Sequence, residues 1–301
     1  MTVVEQNAVL ITGASGQVGR ALIKSLVSKG TQPTALIRKA VPLEGCSIIP
    51  DWLFSDRATA KIAHARAIVH LAGTLNPPDG DYEAANVLPA RRVADALKTG
   101  RAQRLVFLSY VGASEHSANQ YLATKAQAER VLRETEVPLT IFRCSHIIGL
   151  PADPGPTAAA FVARNKNSVQ VLGNGMQRIA PLYLGDVVQA IEASLLSGHD
   201  GAYDLQGPDE MTFDDLVRLV NPGSSIKIFH VPAVAARILT YVGLGFPAPL
   251  IDVLVHDSLS NHPTAAAVFG VPLTHLSEVW TKAAHKGSGS TTLRAVGKPP
   301  L

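Results

Sequence analysis

Tyr121 and Lys125 stand one helical turn apart in the run Tyr121-Leu122-Ala123-Thr124-Lys125. On a helix they share a face. An ammonium beside a phenol stabilises the phenolate and lowers the phenol's pKa. Such a pair can pass a proton to or from a carbonyl or alcohol while a nicotinamide exchanges hydride, and the lysine can also bond the nicotinamide ribose. The spacing alone is a weak signal. Its position sharpens it, because the pair opens a helix soon after a predicted strand at Arg104 to Ser109.

A second set of residues supplies the place for a cofactor. Val9-Leu10-Ile11 is a continuous apolar run, as in a strand covered on both faces. Gly13, Gly16 and Gly19 follow, with Ser15, Gln17 and Val18 between them, and a helical pattern continues to Gly30. One glycine turns the chain sharply, the next leaves room for a pyrophosphate, and the third lets the helix approach the sheet. The free N–H groups and positive dipole end of that helix suit phosphate.

The elements that must position both sets follow in order. Gln32 to Ile37 reads as the second strand and ends in Arg38-Lys39, where an NAD site usually carries an acid for the ribose 2′-hydroxyl. Arg38 can fork onto a 2′-phosphate, so NADP(H) is favoured over NAD(H); the alternative is a solvated basic pair. Ser47 to Ile49 is a short third strand. Asp51 and Trp52 after it could flank an adenine, the carboxylate accepting from its amine and the indole stacking. Ala67 to Gly73 reads as a strand whose small end, Leu71-Ala72-Gly73, lets a cofactor pass closely. His70 inside it reads as a hydrogen-bonded core histidine. Helices are predicted at Ala58 to Arg66, Asn86 to Lys98 and Tyr121 to Arg133, and a sixth strand at Leu139 to Arg143. This alternation predicts an α/β fold, a doubly wound parallel sheet of the Rossmann type, with ligands at the carboxyl ends of its strands.

The predicted dinucleotide-binding domain is 1–150, completed by 177–207. A smaller substrate or partner region takes 151–176 and 208–285, after a Pro/Gly-marked loop at Pro151 to Pro156. The polar stretch 286–301 is expected to be a flexible tail. Thr212 is a good N-cap for a helix to Val220, and Asp186 reads as a helix cap rather than a catalyst. The apolar run within 232–259 reads as a helix pair with a buried face or as a protein- or membrane-surface patch.

Composition narrows the function classes. With 47% apolar residues the chain can bury a large core. The net charge of +3 is carried by Lys286, Arg294 and Lys298 in the tail, so the body offers no case for nucleic acid. No long uncharged apolar run predicts a transmembrane span, and no signal peptide is expected. Cys46 and Cys144, the 2 cysteines, lie far apart; they predict a reducing cytoplasmic setting and no metal site. Oligomeric state is left open.

As a set, the stretches Thr12 to Gly19, His70 to Gly73, Asn86-Val87, Tyr121 to Lys125, Arg143 to Gly149, Pro181 to Val187 and Gly207-Pro208 resemble the extended and atypical branch of the short-chain dehydrogenase/reductase superfamily. Leu108 to Ala113, Tyr121-Leu122 and Glu129 resemble more closely the NAD(P)H-binding accessory subunits of respiratory complex I and their free-standing bacterial relatives. The run from His256 to Leu273 looks like the same group. The resemblance implies that Gly13, Ser15, Gly16, Gln17, Val18 and Gly19 hold the pyrophosphate and that Arg38, with Lys39, reads the adenosine ribose. It implies Leu71, Ala72 and Gly73 along the cofactor, Tyr121 as acid/base with Lys125 as partner, and Cys144 to Ile147 beside the nicotinamide. One departure stands out. Family members usually end the fifth strand with a serine that orients the substrate oxygen; here Tyr110 occupies that position and Ser109 stands one residue early. Either the loop bends so that Ser109 serves, or the serine role is missing. Two functions follow: a reductase or dehydrogenase acting on a small carbonyl or alcohol, or an NADPH-binding module that senses redox state or supports an assembly. A nucleotide-sugar epimerase is the weaker third, since 151–285 shows no basic cluster for a diphosphate.

Overall fold

A computed structural model describes residues 9–152, 155–163, 167–222, 225–241 and 246–280. The 286–301 stretch, Pro154 and residues 242–245 of the apolar run lie outside them. The chain begins β1 (Val9–Thr12), α1 (Gln17–Ser28), β2 (Thr34–Leu36), β3 (Ser47–Ile49), α2 (Asp56–His64) and β4 (Ala67–His70). It continues through α3 (Leu88–Leu97), β5 (Arg104–Tyr110), α4 (Gln120–Arg133) and β6 (Leu139–Cys144). After β7 (Ile147–Ile148), α5 (Gly155–Phe161), β8 (Ser168–Leu172), β9 (Arg178–Ile179), β10 (Leu182–Tyr183) and α6 (Leu184–Leu196), the strand β11 (Gly201–Leu205) returns to the main sheet.

That sheet has 7 strands in the order β11-β6-β5-β4-β1-β2-β3. Every neighbouring pair is parallel. The order reverses between β1 and β4, which opens a crevice at their carboxyl ends. Alternation along the strands feeds two cores. Leu10, Ile68, Leu105, Phe107 and Ile141 pack towards α2, α3 and α4. Ile11, Val69, Val106 and Phe142 pack on the other face with Leu22, Ile23 and Ile191 of α1 and α6. Each such large apolar side chain contributes about 1.5–3 kcal/mol by leaving water.

A third core joins Ile148, Phe161, Val169, Val171, Phe213, Leu216 and Trp280 in the C-terminal part. It involves β12 (Met211–Thr212), α7 (Phe213–Leu219) and β13 (Lys227–Val231), and β8 pairs parallel with β13. Then come α8 (Ala233–Tyr241), α9 (Ala248–Val255) and α10 (Ala265–Val268). Thr212 caps α7 as expected, in a reciprocal box with Asp215. Asp186 does not cap α6. Its buried carboxylate accepts the backbone N–H of Thr274 at 2.7 Å and its hydroxyl at 2.8 Å, fastening the C-terminal segment. Strand β8 escaped sequence reading, although buried Val169 and Val171 around exposed Gln170 carry the period of two. No described helix is long and apolar enough to cross a membrane.

The helix expected from Asn86 starts differently. Glu83–Val87 forms a π turn, and Pro89 sits in the first turn of α3. Buried Asn86 explains the extra residue. Its Oδ1 accepts the N–H of Thr74 at 2.9 Å, while its Nδ2 donates to Thr74 O and Tyr82 O, each at 3.2 Å. The amide thus holds the loop after β4 against the helix.

Glu129 fixes α4 to the sheet. Its carboxylate accepts Arg143 Nε at 2.9 Å and Nη2 at 2.6 Å, Arg133 Nη2 at 3.2 Å and the Ser109 hydroxyl at 2.6 Å. Burial opposes the charge, but these donors hold the carboxyl below the usual carboxylate range. Removing one partner of a buried ion pair strands the other. Glu129→Ala is therefore expected to lower unfolding free energy by about 3 kcal/mol in urea titrations.

Candidate functional site

The crevice between β1 and β4 is built by close backbone contact. Gly13 has a φ of +65°, and a Cβ there would lie 2.6 Å from the Leu71 carbonyl carbon and 2.7 Å from the Ala72 nitrogen. At Gly19 a Cβ would come within 2.6 Å of Ala14 Cα. Only glycine lets the turn and α1 approach so closely. Thr12 Oγ1 accepts the N–H groups of Leu71 and Ala72, both at 3.2 Å. It also hydrogen-bonds His70 Nδ1 at 2.7 Å, while His70 Nε2 is buried without a partner. His70 is fully buried, and burial with the nearby Lys125 charge lowers its pKa to about 3. It is the hydrogen-bonded core histidine that the sequence suggested.

The amino end of α1 has no side-chain cap and no acid in its first turn. Its N–H groups are left for an anion. Gln17 Nε2 is buried without a partner beside this turn. The adjoining cleft, of about 360 Å³, is walled by Gly13, Ser15, Gly16, Arg38 and the Leu71–Thr74 loop among others. A bare glycine turn and an uncapped helix start fit a dinucleotide pyrophosphate, whereas the Gln17 amide lies against Gly155 and is not among the cleft's walls. Val18 is half-buried on α1.

Of the residues expected around an adenosine, only some line the cleft. Arg38 is exposed and lines the cleft, whereas the exposed Lys39 and Asp51 are not among its walls. Asp51 is held by its backbone, whose N–H donates to Arg38 O at 3.3 Å. Trp52 is only 2% exposed and belongs to the core of Leu36, Ile49 and Ile62, so its indole forms a wall and is not free to stack as expected.

At the other end, Asn119 caps α4 by accepting the N–H groups of Tyr121 at 3.0 Å and Leu122 at 3.2 Å. Its amide also donates to Pro249 O at 2.9 Å, which ties α9 to this helix start. Buried Lys125 donates to Leu108 O at 2.6 Å and lies 4.2 Å from the Phe107 ring centroid. Burial lowers its pKa to about 8, against the pull of Glu129. The expected lowering of the Tyr121 pKa is not realised. Burial pushes the phenol above its usual value, and Tyr110, Cys144 and Tyr82 add to this. Lys125 spends its charge on a carbonyl and a ring instead.

Ser109 requires a correction. Strand alternation turns it away from Tyr121, and its hydroxyl is committed to Glu129. Tyr110 faces the site, its ring edge-on to Tyr121 at 5.5 Å. Cys144 lies opposite Tyr110 in the β5/β6 register and is buried, its thiol pushed up by burial. Ile147 is half-buried on β7. His146 is buried, its Nδ1 has no partner, and burial lowers its pKa to about 4. Sequence reasoning missed Asn119, which a cap pattern before Tyr121 could have revealed, and Ser258, for which no local signal exists.

Residues 9–205 match the model of the NAD dependent epimerase/dehydratase family. The chain belongs to that family. The likeness to extended short-chain dehydrogenases thus holds, and complex I subunits are among the relatives. One is the "NADH dehydrogenase [ubiquinone] 1 alpha subcomplex subunit 9, mitochondrial" of Arabidopsis thaliana, 28% identical over 70% of this chain and 56% of the relative. The chain therefore spans little more than half of that protein. The ceramide reductase of Caulobacter vibrioides is 26% identical over 88% of this chain and 82% of its own. Among solved structures, MoeE5 in complex with UDP-glucose and NAD aligns with a TM-score of 0.74 at 18% identity, covering 94% of this chain and 100% of that one. A UDP-glucose 4-epimerase from Thermotoga maritima gives 0.75 at 16%, covering 93% and 98%. At such identities these two show the fold alone.

Two expectations follow for this family member. Gly16→Val fills the phosphate cradle, so NADH and NADPH affinity should fall about tenfold or more by cofactor fluorescence, with the circular dichroism spectrum kept. His70 and His146 are neutral when folded but titrate near about 6.5 when unfolded. The unfolded chain thus binds more protons in acid. Stability should be full above about pH 6.5 and fall towards pH 4 by up to about 1.4 kcal/mol per unit per histidine. His146→Phe should remove one share of that slope in urea titrations across pH.

Proposed function

We propose that this chain is an NADP(H)-dependent reductase or dehydrogenase that moves hydride between its cofactor and a small carbonyl or alcohol substrate. The observation that carries this reading is the placement of Tyr121 and Lys125 on the first turns of α4, beside the carboxyl ends of β5 and β6. Ser15, Gly16, Gln17 and the α1 N–H groups would hold the pyrophosphate, and Leu71 to Gly73 would flank the rest. Arg38, with no acid at the end of β2, favours the 2′-phosphate of NADP(H). The bound cofactor supplies the hydride. Tyr121, whose pKa is raised, is a protonated donor at neutral pH and gives its proton to the carbonyl oxygen. Lys125, still charged below pH 8, can exchange its Leu108 carbonyl for the nicotinamide ribose.

The relatives support a reductase with a non-sugar substrate as well as the family's nucleotide-sugar work. The local charges favour the former. Arg178 pairs with Glu210, Arg218 with Asp215 and Arg237 with Asp252, so these C-terminal cations are already engaged. A second reading, an NADPH-binding module within an assembly, is favoured by the engagement of Ser109 with Glu129 and by the complex I relatives.

In this account Arg38→Ala lowers NADPH affinity about tenfold or more while NADH affinity stays level. Tyr121→Phe leaves NADPH binding intact and lowers NADPH oxidation with a panel of ketones, aldehydes and quinones by about 100-fold or more. Tight NADPH binding with no oxidation across the panel contradicts the reductase and selects the module. The rate should also fall above about pH 8 as the Lys125 ammonium is lost.

A further inference from the structure

Strand β5 ends in two hydroxyl-bearing residues with opposite fates. Ser109 is 5% exposed and gives its hydrogen to the Glu129 carboxylate at 2.6 Å, a short charge-assisted bond. Tyr110 points the other way, edge-on to the Tyr121 ring at 5.5 Å and 68°. We propose that Tyr110, and not Ser109, supplies the second hydroxyl that holds the substrate's reacting oxygen beside Tyr121, and that Ser258 fixes its orientation. This deepens the reductase reading and rests on it.

The Tyr110 oxygen has two neighbours. Ser258 Oγ lies at 3.1 Å and His146 Nε2 at 3.4 Å, both at or beyond the long end for an O–H donor or acceptor. Two arrangements use all three groups, and the proposal takes the one in which Ser258 donates to the phenol oxygen. Tyr110 then directs its own hydrogen at His146 Nε2, which accepts in the neutral tautomer protonated at Nδ1. That bond is long, so an incoming carbonyl oxygen displaces it at small cost, and the Ser258 donor polarises the phenol further. No comparable exchange is open to Ser109, because leaving Glu129 would strip a donor from a buried carboxylate. A phenol also reaches further from the strand than a seryl hydroxyl. The seat for the substrate oxygen therefore lies between two phenols, Tyr110 and Tyr121.

Ser258 comes from the C-terminal segment. Its N–H donates to Arg178 O at 2.9 Å, and Asp257 accepts the Arg178 N–H at 2.7 Å. The hydroxyl pair is thus complete only when this segment is docked on β9.

The test uses the full chain with NADPH and isobutyramide, an amide that presents a carbonyl oxygen and is not reduced. Ternary-complex formation is read as a change in NADPH fluorescence. Tyr110→Phe should weaken isobutyramide binding about tenfold, and Ser258→Ala about threefold, with NADPH affinity and melting temperature unchanged. Ser109→Ala should leave isobutyramide affinity within about twofold. The proposal is overturned if Ser109→Ala weakens the amide and Tyr110→Phe does not, or if the wild-type chain forms no ternary complex. If Tyr110→Phe does not fold, unchanged amide binding in Ser258→Ala overturns it as well. A ternary complex that obeys the predicted pattern without NADPH oxidation by any carbonyl supports the Tyr110 assignment while the reductase reading fails.

Discussion

The backbone of Gly13 passes against that of Leu71 and Ala72 with no room for a side chain, and the site depends on this contact. It lets β1 and β4 end side by side before their chains diverge, and the Thr12 hydroxyl locks the divergence by serving Leu71, Ala72 and His70 together. The glycine turn is then free to face the cleft, and the uncapped start of α1 points into it. A packing constraint in the sheet thereby leaves a helix start at which the dipole of α1 would favour an anion.

The Tyr121 end follows from strand alternation. On β5, Phe107 and Ser109 share one side while Leu108 and Tyr110 share the other. Glu129 takes up Ser109 and Arg143, neighbours in the β5/β6 register, and so fixes the height of α4. That height puts Lys125 on the Leu108 carbonyl and Tyr121 against Tyr110. The buried ion pair thereby helps decide which face of a helix meets which end of a strand.

Much of this was legible in the chain. The apolar runs at Val9 to Ile11, Ala67 to Val69 and Leu105 to Leu108 declare buried parallel strands, and the Gly13, Gly16 and Gly19 spacing needs only local chemistry to interpret. Tyr121 and Lys125 were found because their spacing is helical. The rest depends on contacts that no local pattern encodes. Ser109 and Tyr110 differ by one residue, and one residue reverses the side a strand side chain faces. Lys125 was expected to act on a phenol but meets a carbonyl contributed by β5. Trp52 looks like a stacking platform in sequence and is consumed by the core. Ser258 reaches Tyr110 across 148 residues. Asn86 announces a helix, yet its amide bends the chain into a π turn.

The central proposal is that one cofactor bridges the cleft at Arg38 and the glycine turn and the Tyr121 end, which is not among that cleft's walls. A crystal structure of the NADPH complex tests it most directly. The account expects the 2′-phosphate on Arg38, the pyrophosphate over Gly16 and the start of α1, and the nicotinamide beside Tyr121 and Tyr110. Lys125 should have moved from Leu108 O to the ribose. A cofactor whose nicotinamide lies outside the Tyr121 end, with Lys125 still on Leu108 O, would contradict it.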